Sequence, residues 1–153
     1  MNETVAWTLV AELGVDMQRF GSAAHAAAWA GLCPGHHESA GKRLSGRTRH
    51  GNRSIRRVLV QSAGTANRAQ HTYLQAQFRR FVARIGNKRA AVAVAHTILV
   101  VAYHILDRNQ DYRELGGDYF ERQDPQRTTR RLVRRLERLG HRVIIQPAAE
   151  AAH

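Results

Sequence analysis

From Lys42 to Arg57 the chain carries Lys42, Arg43, Arg47, Arg49, Arg53, Arg56 and Arg57 with no acid among them, and Gly41, Gly46 and Gly51 are spaced between the cations. Such a segment suits a phosphate. Ammonium and guanidinium groups neutralise phosphate oxygens, and glycines let the backbone come close to them. A helix opening at Asn52 would add an amino end, which favours anions. The alternative for the same residues is a solvated basic face.

The whole chain leans the same way. It has 24 Lys and Arg against 12 Asp and Glu, a net charge of +12 and a pI near 11.4. A polyanion is the expected partner, with nucleic acid the leading candidate. The apolar fraction of 43% over 153 residues fits one folded domain, and the excess charge therefore does not signal disorder.

Other constellations are weaker. Cys33, His36 and His37 are crowded in sequence and lack further ligands, so the histidines are expected to be solvated. Asp107, Asp111, Glu114 and Asp118 alternate with Arg108 and Arg113 and read as surface ion pairs rather than a magnesium site. His96 and His104 are expected to be core groups with satisfied partners. No metal site and no cofactor are expected within this chain.

The longest apolar run, Ala90 to Leu106, falls short of the roughly 20 residues that span a bilayer and contains His96 and His104. It is expected to be a buried helix, and no membrane partner is expected. Glu3 stands where a secretion signal carries positive charge, which points to a cytoplasmic protein. Cys33 is the single cysteine, so an internal disulfide is excluded.

The elements that must position the basic segment read as helices. Apolar spacing marks one near Thr4 to Leu13, with Thr4 as a cap and Gly14 as a stop, and a second after Ser22. A third pattern runs from Asn52 to Ile85 with a break near Gly64 to Asn67. Lys88 to Leu106 is apolar nearly all round and must be covered by other helices. Asp124 before Pro125 starts a last helix that stops at Gly140, with Leu132, Val133, Leu136 and Leu139 opposite a face of arginines. That stripe is expected to close the core, the alternative being self-association. The last residues could add one short strand and a tail. The fold class is mainly α, a compact helical domain with one long basic, glycine-rich loop.

The segment "RFGSAAHAAAWAGLCPGHHESAGKRLSGRTRHGNRSIRRVLVQSA" resembles the start of the carboxy-terminal domain of insertion-sequence transposases of the 110/116/902 group, the bridge-RNA-guided recombinases. The likeness rests on Trp29, Ala30, Gly31, Leu32 and Pro34, then His37, Ser39, Gly41 and Lys42, then Gly46, Arg47, Gly51, Asn52 and Arg53. It continues through "NKRAAVAVAHTIL" to the arginine-rich end. The resemblance implies a remnant of a helix-hairpin-helix-like segment over 1–21, the transposase carboxy-terminal domain over 22–142 and a tail over 143–153. It also implies that Ser39 is the nucleophile on a DNA phosphorus, with Lys42, Arg43 and Arg47 offsetting phosphoryl charge.

In such enzymes four acids and magnesium come from an amino-terminal nuclease-like domain, and no counterpart of that domain is found in this sequence. Ala40 also replaces the first of a usual pair of glycines. Two classes of function are therefore expected. One is part of a transposase acting on DNA, with guide RNA, a second copy or a full-length transposase as further partners. The other is a noncatalytic DNA- or RNA-binding module or inactive remnant.

Overall fold

The computed structural model describes residues 3–35 and 37–146, without the side chains of His37 and Arg43. It is mainly α, in two units, Met1–Gly117 and Asp118–His153. In chain order the elements are α1 (Glu3–Leu13), a 3-10 turn (Met17–Phe20), α2 (Ala23–Trp29), β1 (His37–Ser39), β2 (Lys42–Ser45), α3 (Arg53–Ala66), α4 (Tyr73–Ile85), α5 (Asn87–Arg108), α6 (Tyr119–Gln123) and α7 (Pro125–Arg138).

In the first unit α5 is the axle, with α2, α3 and α4 packed around it and α1 laid on α3. Ala90, Val94, Ala95, Ile98, Leu99, Ala102 and Tyr103 of α5 are buried. Ala26, Ala27 and Ala30 are fully buried, and their small side chains let the α2 segment sit close to its neighbours. Leu13, Ile55, Leu59 and Leu99 are the largest fully buried side chains. Truncating any one to alanine is worth about 2–5 kcal/mol.

Local chemistry sets most boundaries. The Ser22 hydroxyl accepts from the His25 amide at 3.2 Å, and Thr72 does the same for Gln75 at 3.2 Å. Gly86, at φ 79°, is the single residue between α4 and α5, and its amide closes α4 on the Val82 carbonyl. The expected break falls after Ala66, with Gly64 inside α3.

Several expectations change. Thr4 lies within α1, where its carbonyl accepts from the Thr8 hydroxyl, so it is not the cap. Residues 143–146 form no strand and pair with none of the described residues; 147–153 lie outside the described residues. The basic loop is partly ordered as the β1–β2 hairpin. Helix α5 reaches 22 residues, enough by length and composition alone to cross a membrane, so the argument from shortness fails. What marks it as a core helix is the three helices packed on it.

The second unit contains α6 and α7. Asp124 Oδ1 accepts from the Arg127 amide at 2.9 Å with Pro125 in the first turn, as the sequence suggested. Leu132, Leu136 and Leu139 are 49%, 42% and 68% exposed and Val133 is half-buried, so within the second unit the stripe is not closed into a core.

Candidate functional site

The hairpin is short and sharply turned. Ser39 opposes Lys42 in register, leaving Ala40 and Gly41 as a two-residue loop with φ 48° and 73°. Positive φ at both positions matches the right-handed twist of the strands, and for alanine it is strained. As directly opposed residues, Ser39 and Lys42 project from one face, with Cβ atoms about 5 Å apart. Glu38, one residue earlier, points to the other face. The register shifts between His37 and Glu38, where Leu44 is the extra residue.

Ser39 is exposed, and its hydroxyl has no hydrogen-bond partner among the described residues. The other serines with described bonds are engaged: Ser22 as a cap, Ser45 accepting from the Arg47 amide at 3.2 Å, Ser62 donating to the Val58 carbonyl at 2.9 Å. Ser54 lies in the first turn of α3.

An isolated two-stranded hairpin is marginal in water, so its base must be held. Gly35 donates to the Arg47 carbonyl at 3.0 Å, and Pro34 bridges Thr48. Below them the backbones of Gly31 and Gly51 cross: a Cβ on Gly51 would lie 2.6 Å from the Gly31 Cα. The Asn52 amide then donates to the Trp29 carbonyl at 3.2 Å. Asn52 also caps α3, its Oδ1 accepting from Ile55 at 3.1 Å while its Nδ2 donates to Glu12 Oε2 at 2.6 Å. Arg56 Nη1 donates to the carbonyls of Gly31 at 2.8 Å and Arg49 at 3.3 Å, joining both limbs of the segment.

Of the expected cations, Lys42, Arg47, Arg49, Arg53 and Arg57 are exposed. Arg56 is half-buried and spends Nη1 on backbone carbonyls, which makes it a positioning residue. The Arg43 side chain lies outside the description, as do His36 and the His37 side chain. Gly51 serves contact with Gly31 rather than approach to a phosphate. Gly41 has open space around it.

Elsewhere the sequence reading needs correction. Among the described residues Glu114 makes no ion pair: Oε1 accepts from the amides of Tyr73 at 2.8 Å and Gly116 at 3.0 Å, and Oε2 from the Tyr112 hydroxyl at 3.2 Å. Of its acidic companions, Asp118 pairs with Arg122 at 3.0 Å. His104 Nδ1 is buried with no partner among the described residues, so that histidine is not satisfied. Burial lowers the His96 pKa and raises that of the half-buried Cys33 thiol. A groove of about 670 Å³ runs beside α3 and α5, lined mainly by apolar groups with Glu114 and Thr72 on its border.

Sequence reasoning missed Glu12 and the clamping role of Arg56. Asn ahead of an apolar-periodic helix is a local capping signal, but its second partner lies 40 residues away.

The family model described as Transposase IS116/IS110/IS902 family matches residues 1–83. A protein named as a transposase, y4pF/y4sB, of Sinorhizobium fredii (strain NBRC 101917 / NGR234) is 32% identical over 109 residues. The match covers 67% of this chain and 28% of that relative. No solved structure matches.

Proposed function

The chain belongs to the IS116/IS110/IS902 family of transposases, and from that membership we propose that it is the DNA-engaging part of such an enzyme, with Ser39 as the nucleophile. The observation that carries this reading is the hairpin itself. Ser39 stands exposed beside a two-residue turn, opposite Lys42.

In the proposed step Ser39 Oγ bonds to a DNA phosphorus as the bond from phosphorus to a deoxyribose oxygen breaks. The hydroxyl proton passes to a base, and the displaced oxygen takes up a proton. The phosphoserine link preserves a phosphodiester, so attack by a DNA hydroxyl can reverse the step without ATP. Lys42 offsets charge on the phosphoryl oxygens, and Arg47, Arg49, Arg53 and Arg57 hold flanking phosphates. Arg56 keeps the cradle closed. Among the described residues no group of three or more His, Cys, Asp or Glu is placed to hold a metal ion, and no step here passes through one. The carboxylates that deprotonate the serine come from polypeptide outside these 153 residues, joined to it or separate.

That no base among the described residues contacts the Ser39 hydroxyl favours a second reading, a noncatalytic module that binds DNA or structured RNA. One experiment separates them. The chain is mixed with a family transposase that retains its acids but has alanine for its own serine, and covalent protein–DNA adducts are resolved on denaturing gels. An adduct lost with Ser39→Ala and kept with Ser45→Ala is expected. An adduct that survives Ser39→Ala overturns the nucleophile, and no adduct in any mixture supports the noncatalytic reading.

A further inference from the structure

The strongest charged surface outside the hairpin is α7. At about 100° per residue, Arg127, Arg130, Arg131, Arg134, Arg135 and Arg138 fall within an arc of roughly 140°, while Leu132, Leu136 and Leu139 lie on the other side. All six arginines are exposed. Among the described residues only Arg131 meets a carboxylate, Glu121 at 3.0 Å, and Arg138 donates to the Arg134 carbonyl at 3.3 Å. Glu137, the acid within the helix body, falls just outside the arc. Concentrating this many like charges on one side of a 14-residue helix is unfavourable without a polyanion to face them.

We propose that the arginine face of α7 is a duplex-DNA-binding surface, separate from the hairpin, that lies in the major groove. The shape decides between duplexes. A helix is about 10–12 Å across, and the B-form major groove is about 12 Å wide. Arg130 and Arg135, at the two edges of the arc, then reach phosphates on opposite strands, with Arg127 and Arg134 between them. The deep, narrow major groove of A-form RNA does not admit such a helix. Its phosphate contacts carry no direct sequence information, so they add affinity for any sequence.

The test is fluorescence anisotropy of the full chain on a duplex DNA and a duplex RNA of one sequence, across a series of salt concentrations. A variant combining Arg127→Ala, Arg130→Ala, Arg134→Ala and Arg135→Ala keeps good helix formers, and circular dichroism checks that α7 persists. On DNA, the slope of log affinity against log salt should become shallower by about 0.9 per contact removed. The same positions changed to lysine should restore most of the slope. Binding to duplex RNA should change little. An unchanged slope on DNA, or an equal loss on RNA, overturns the proposal. A parallel variant with alanine at Lys42, Arg47, Arg53 and Arg57 reports on the basic segment from Lys42 to Arg57, so either surface can fail independently.

Discussion

Asn52 joins two helices with one side chain: its Oδ1 caps α3 on the Ile55 amide at 3.1 Å, and its Nδ2 donates to Glu12 of α1 at 2.6 Å. The end of the basic segment is thereby anchored to the bundle. Asn52→Ala removes the cap and leaves a half-buried carboxylate without its donor, an expected loss of about 2–3 kcal/mol in urea unfolding. Asn52→Asp keeps the cap but sets carboxylate against carboxylate. It should be less stable than the parent at neutral pH and regain ground as the pH falls.

Gly51 and Gly31 touch through their backbones, so a methyl group at 51 has nowhere to go. Gly51→Ala must part the two backbone segments and break the bond from the Asn52 amide to the Trp29 carbonyl. A loss on the order of 3 kcal/mol is expected in thermal or urea unfolding. Gly41→Ala is the control. Its surroundings are open and only the φ of 73° is unfavourable, so about 1 kcal/mol is expected. Equal effects at the two sites would remove the close-approach argument.

What could be read from sequence was local. Ser22, Asp124 with Pro125, and Gly140 mark helix ends because a cap is satisfied within three or four residues, and α5 announced its burial by being apolar all round. The hairpin was not legible: strands of three and four residues give too little alternation, and Ala40 is not a residue that a turn with positive φ suggests. Arg56 looked like one more phosphate ligand, since nothing near it in sequence shows that it will meet the Gly31 carbonyl 25 residues earlier. Glu114 was misread for the same reason, its chief partner being the Tyr73 amide 41 residues away. Ser39 came from resemblance, and the fold adds only its exposed setting beside the turn.

Ala40 is strained at the position where the resemblance leads one to expect glycine. An alanine at φ 48° gives up about 1–2 kcal/mol relative to an unstrained backbone, and glycine returns part of that gain as entropy in the unfolded chain. Ala40→Gly should therefore stabilise the hairpin by about 0.5–1 kcal/mol. Amide hydrogen exchange at Lys42 to Ser45 would register this as slower local opening. Faster exchange in the glycine variant would mean that the alanine turn is not strained.

The clip at Glu114 gives stability a pH signature at both ends. Burial alone would raise the Glu114 pKa, but the amides of Tyr73 and Gly116, the Tyr112 hydroxyl and the Leu115 amide together hold it below its ordinary 4.5. Its folded pKa is depressed, so its contribution is present above pH 4.5 and is lost as the pH falls through the lower folded value. For Tyr112, burial, then the charge and hydrogen bond of Glu114, then Tyr73, push the phenol from 10.0 up to about 12. That pKa is raised, so its contribution is complete below pH 10 and is lost as the pH climbs towards 12. Glu114→Gln removes the charge that both effects share. In this variant the acid-side loss of stability should shrink, and phenolate absorbance at Tyr112, isolated by comparison with Tyr112→Phe, should appear at lower pH than in the parent. An unshifted phenolate titration in Glu114→Gln would mean that the carboxylate does not hold the Tyr112 proton.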